Sequence, residues 1–112
     1  MEINEINDSE FFEVGLLNES SDLIVIESDD HIELIMKALS SKTRREILQQ
    51  IQMGPMDVSD IAAILDMTEA NISAQIKKLE KAKLISCDYS SGKHGVRKIS
   101  SIRFNSLLVK FA

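Results

Sequence analysis

Between Glu69 and Leu79 the chain sets Glu69, Asn71, Ser73, Gln75, Lys77 and Lys78 around Ile72, Ile76 and Leu79, which recur at i, i+4 and i+7. That spacing is one face of an α-helix, so the polar set occupies the opposite face. Amide, hydroxyl and ammonium side chains of these types can reach base edges and phosphate oxygens. Asn71 and Gln75 stand one helical turn apart, and each amide offers the donor and acceptor that match adenine in the major groove. Lys77, Lys78, Lys81 and Lys83 lead on to Lys93, His94, Arg97 and Lys98, a run of cations suited to phosphate. Lys42, Arg44 and Arg45 are weaker candidates of the same kind. The plain alternative is a solvated helix with solubilising lysines, and the sequence around these residues argues against it.

Holding such residues takes a rigid frame, and residues 29–112 supply one. A helix over 30–39, capped by Asp29 or Asp30, carries the stripe Ile32, Ile35, Met36 and Leu39. Ser40–Ser41 breaks it and caps a second helix over 42–53, with Ile47, Leu48 and Ile51 inward. Gly54–Pro55 stops that helix. A third helix follows Val58, capped by Asp57 or Ser59, and a turn at Asp66–Met67 leads to Thr68, the cap of the helix over 68–81. A short helix, a sharp turn and a polar-faced helix make a helix-turn-helix. The period then changes to two in LISCDYS (84–90) and VRKISSIRF (96–104), around SGKHG. That is a β-hairpin with a loop slightly longer than the tightest turns. The fold class is therefore mainly α with a small β-hairpin wing (α+β), a winged helix-turn-helix. Asn105 is placed to cap a final short helix, Ser106–Phe111.

The first 28 residues follow a different pattern. FFEVGLL (11–17) and DLIVIE (22–27) flank the turn-like NESS, which allows a β-hairpin. A helix over 11–17 capped by Asp8 or Ser9, or a partly ordered acidic arm, fits equally well. This arm could also serve as a dimerisation element. Of the chain's 18 acids, eleven lie in residues 1–36, which hold no Lys or Arg. Residues 37–112 hold all thirteen bases against seven acids, so the net charge of −5 hides a basic portion of +6. No apolar run approaches the ~20 residues of a membrane span. The acidic amino terminus lacks the basic start of a secretory signal. Cys87, the single cysteine, makes a reducing cytoplasm the default.

LSSKTRREILQQI and VSDIAAILDMTEANISAQIKKLEKAKLI resemble the second-helix signature and the following segment of ArsR-type winged-helix regulators. The resemblance spans about Ile32–Phe104. It implies a homodimer on a partly palindromic operator, with Thr68, Glu69, Ala70, Asn71, Ser73, Ala74 and Gln75 as the positions that touch DNA. Ala74 and Gln75 stand where Arg-His is common in the family, which shifts base reading to Asn71, Gln75 and Ser73. Residues 59–65 and the last predicted helix lack the cysteine, or the aspartate and histidine, of the family's metal-sensing branch. No metal and no cofactor is therefore expected. Neither a nucleophile–base pair nor a glycine-rich phosphate loop is present, so the chain does not read as an enzyme.

The sequence thus points to a double-stranded DNA-binding transcriptional regulator, a repressor and homodimer. Ile32, Ile35, Met36, Leu39, Leu107, Leu108 and Phe111 are its expected dimer contacts. A winged helix used for protein contacts is the rival reading. A third expectation folds the acidic arm over the chain's own basic face, in competition with DNA.

Overall fold

The computed structural model describes residues 12–92 and 95–111. Lys93, His94, residues 1–11 and the caps considered at Asp8 and Ser9 lie outside the described residues. Among the described residues ten elements follow in order: β1 (Phe12–Leu17), β2 (Leu23–Ile26), α1 (Asp29–Leu39), α2 (Lys42–Gln52), β3 (Met56–Asp57), α3 (Val58–Leu65), α4 (Glu69–Lys81), β4 (Ile85–Gly92), β5 (Gly95–Ile102) and β6 (Ser106–Phe111). Two antiparallel three-stranded sheets, β2-β1-β6 and β3-β5-β4, accompany the four helices.

Each helix starts where a short polar side chain takes up an orphan backbone N–H. Ser28 accepts from the His31 N–H, so it caps α1 in place of Asp29 or Asp30, which become its acidic first turn. Ser41, Asp57 and Thr68 cap α2, α3 and α4 in the same way. Between α3 and α4, Asp66 adopts a left-handed conformation at φ 55°. The Met67 N–H then reaches back to the Ala62 carbonyl at 2.9 Å, which closes the end of α3 and turns the chain sharply into Thr68.

The core is aliphatic. Ile35 of α1, Ile47 and Ile51 of α2, Ile61 of α3, and Ile72, Ile76 and Leu79 of α4 are all fully buried, together with Ile85 of β4. The i, i+4, i+7 stripe of α4 is therefore its inward face. The buried Val14, Leu16 and Ile26 of the terminal sheet join the same cluster, so β1 and β2 pack onto the helices.

Two expectations are corrected here, and one element is added. Ser106–Phe111 is a strand and not a helix. It pairs along its length with β1, from Leu17↔Ser106 to Phe12↔Phe111. Six residues are too few to hold a helix alone, whereas pairing with β1 runs the length of the segment and satisfies the backbone groups of alternate residues. The Asn105 N–H donates to the Leu17 carbonyl at 2.9 Å and starts that pairing. The wing strands also reach further towards the tip than expected, to a paired Gly92↔Gly95 with two residues between them, while β5 ends at Ile102, short of the expected Phe104. Finally, Met56–Asp57 forms the short strand β3 on the outer side of β5. Among the described residues no helix is long and apolar enough to cross a membrane.

Candidate nucleic-acid interface

With Ile72, Ile76 and Leu79 turned inward, α4 presents Glu69, Ala70, Asn71, Ala74, Lys77, Lys78 and Lys81 as exposed residues, and Ser73 and Gln75 as half-buried ones. Thr68 is exposed, but its Oγ1 accepts the Asn71 N–H at 3.1 Å and so works as the helix cap. The Glu69 carboxylate accepts from the Ser59 hydroxyl at 2.8 Å, which pins the start of α4 to α3 and turns that negative charge towards the protein. The wing stands beside α4. Between them lies a cleft lined by Asp57, Ser59, Glu69, Ser73, Val96 and Arg97.

Two of the expected phosphate contacts are already occupied. The Arg97 guanidinium pairs with the Asp57 carboxylate and lies 3.7 Å from Asp60. Asp57 is 8% exposed, and its other oxygen accepts the Asp60 N–H at 2.8 Å. Burial acts to raise the Asp57 carboxyl, but the Asp60 N–H and the Arg97 charge outweigh it and hold its pKa below the usual range. Lys98 pairs with Glu80 at 3.2 Å and covers the Tyr89 ring, with its ammonium 6.0 Å from the ring centre. Burial alone would lower the Lys98 pKa; the bond to Glu80 prevails and raises it. Arg97 and Lys98 thus brace the wing against the ends of α3 and α4. Cys87 faces Ser100 at 3.3 Å, and burial pushes its thiol up, away from the reactive thiolate form.

Arg44 and Arg45, the weaker candidates, also have partners within the fold. The last carbonyls of α1 lie past the regular helical ladder; Ser40 donates to that of Lys37, and the two arginines donate to those of Lys37, Ala38 and Leu39. Arg44 donates from Nε to the Ala38 carbonyl at 2.7 Å and from Nη2 to the Lys37 carbonyl at 2.9 Å. Arg45 donates to the Leu39 carbonyl at 2.7 Å. Arg44 is itself buried, and its Nη1 reaches across to Gln75 Oε1 at 2.6 Å. Gln75 in turn donates from Nε2 to Asn71 Oδ1 at 3.1 Å. This connection has no mark in the sequence, because Arg44 and Gln75 are 31 residues apart and only packing brings them together.

The expected dimer set does not form one surface. Ile32 and Ile35 are buried in the protomer's own core, and Leu39 and Leu107 pack against it. Strand geometry puts Leu107 and Phe111 on one face of β6 and Leu108 on the other. Met36, Leu108 and Phe111 are the exposed members, and Ile24 of β2 is exposed as well. Among the described residues no three His, Cys, Asp or Glu side chains come together to hold a metal ion.

The family model for bacterial regulatory proteins of the arsR family matches residues 41–86, from the cap of α2 into β4. A crystal structure of an ArsR family transcriptional regulator is 30% identical over 65% of this chain and 76% of its own, with a TM-score of 0.56. The homodimeric winged helix-turn-helix DNA-binding domain of a possible ArsR-family transcriptional regulator of Mycobacterium bovis is 26% identical. That likeness covers 65% of this chain and 64% of that one, at a TM-score of 0.58. HlyU of Vibrio cholerae shares the fold at 14% identity and a TM-score of 0.58, over 69% of this chain and 80% of its own. No curated protein matches the chain with significance.

Proposed function

The chain belongs to the ArsR family of bacterial regulatory proteins, and from that premise we propose that it is a sequence-specific double-stranded DNA-binding repressor acting in the cytoplasm as a homodimer. The observation that carries the proposal is the exposed polar face of α4, set between a fully buried stripe and a braced wing. In this reading the first two turns of α4 enter the major groove, where Asn71 and Ser73 meet base edges. Lys77, Lys78, Lys93 and His94 meet phosphates on either side. Arg97 and Lys98 act one step back, by holding the wing at its angle to α4.

One winged helix makes few base contacts, and two copies on a partly palindromic site double them. The M. bovis domain, homodimeric and 26% identical, supports the same arrangement. Repression follows with the least further machinery, because occupying the operator is enough.

The test is selection from a random duplex pool with the full chain, followed by anisotropy on the enriched sequence. A palindromic site whose preference is lost in Asn71→Ala supports the proposal. Binding to no duplex at low salt would turn attention to the winged helix as a surface for a protein partner.

A further inference from the structure

We propose that Arg44, buried behind the reading face, sets the base preference of that face by fixing the polarity of a hydrogen-bond relay through Gln75 to Asn71. The proposal rests on the reading of α4 as the recognition helix and says how that helix chooses its base.

A guanidinium has donors and no acceptor. The Gln75 atom 2.6 Å from Arg44 Nη1 must therefore be its oxygen. That fixes the Gln75 NH2 on the other side, 3.1 Å from Asn71, where the facing atom must again be an oxygen. One cation thereby orders two amides that could otherwise flip freely. Arg44 cannot turn away, because Nε and Nη2 are held by the Ala38 and Lys37 carbonyls at the end of α1. Its charge also polarises the partly buried bond to Gln75.

Gln75 has consequently spent an acceptor on Arg44 and a donor on Asn71. Half-buried, with its oxygen turned to the arginine and its amide nitrogen to Asn71, Gln75 is a positioning residue in this proposal. Asn71 is different. It is exposed, one lone pair of its oxygen remains, and among the described residues its Nδ2 meets only the Met67 sulfur, a weak acceptor 3.7 Å away. A donor and an acceptor side by side on a held amide match adenine. The structure thus gives each subunit one adenine reader, Asn71, with its orientation set through Gln75 by Arg44.

The experiment compares wild type, Arg44→Met, Gln75→Met, Asn71→Ala and the Arg44→Met/Asn71→Ala double variant of the full chain. Each is measured on the selected duplex, on the same duplex with the adenine replaced by guanine, and on random DNA, with a thermal melt to check folding. Arg44→Met is expected to lose about tenfold of the adenine preference, within the range of one good base contact, while random-DNA affinity stays put. In the Asn71→Ala background the Arg44 change should add nothing, since its effect passes through Asn71. Because Arg44→Met also frees the end of α1, Gln75→Met serves as the second probe: it leaves both carbonyl bonds of Arg44 intact and should lose the same preference. Folded variants that keep the wild-type ratio, or losses that simply add in the double variant, would overturn the relay. A wild type with no preference for any duplex would instead remove the reading of α4 itself, a result visible before any variant is made.

Discussion

Replacing Arg97 with methionine separates two roles that the sequence alone leaves merged. The methionine keeps most of the stem and removes only the guanidinium. Asp57, 8% exposed, then loses its partner for one oxygen and keeps only the Asp60 N–H on the other. An acceptor stranded in this way costs about 1–3 kcal/mol when fully buried. Arg97 is 54% exposed, so water can reach part of the vacated space and the lower half of that range applies, about 1–2 kcal/mol. For a domain of this size the melting temperature should fall by about 5–15 °C. The sign of the pH dependence follows from Asp57, whose folded pKa lies below the ordinary 3.8. The pair's contribution is complete above that ordinary value and is lost as pH falls through the lowered one. Wild type and Arg97→Met should therefore differ most at neutral pH and converge in acid. Thermal melts across pH, with anisotropy salt titrations on DNA, measure both roles together. A bracing Arg97 leaves the salt slope unchanged. An unaltered melting temperature with a slope reduced by about 1 per subunit would make Arg97 a phosphate contact and refute the brace.

Other outcomes are equally specific. Asn71→Ala should cost about 1–3 kcal/mol of discrimination between the selected site and a mismatched one, read as a ratio of dissociation constants, with no change in melting temperature beyond a few degrees. Lys77→Gln and Lys78→Gln should each weaken binding to all sequences alike and flatten the salt dependence by about 1 per subunit, as anisotropy in stepped salt will report. Ile35→Ala removes a fully buried side chain of α1 and should destabilise the fold by about 2–5 kcal/mol, seen as a lower urea midpoint at constant slope.

The helical half of the molecule was legible because its signals are local. The α4 stripe, the Ser41 and Thr68 caps and the glycine stop after α2 each lie within a few residues of what they determine. The period-two wing was legible for the same reason. The terminal strand was not, since its conformation depends on β1, some ninety residues away in sequence. Read alone, Leu107, Leu108 and Phe111 fit a helical face as well as two faces of a strand. A like limit applied at the interface. Composition counted Arg44, Arg97 and Lys98 as available cations, but each meets an acceptor supplied by a distant segment: Gln75, Asp57 or Glu80. The exposed lysines of α4 needed no such partner to be recognised.

The most direct test of α4 as the reading element is a titration of the isotopically labelled chain with its selected duplex, followed by amide and side-chain NMR signals. The largest shifts should fall on Thr68–Gln75, including the Asn71 side-chain amide, with smaller ones along the wing and little change in β1, β2 and β6. Shifts concentrated on the β2-β1-β6 sheet, with α4 unmoved, would contradict it.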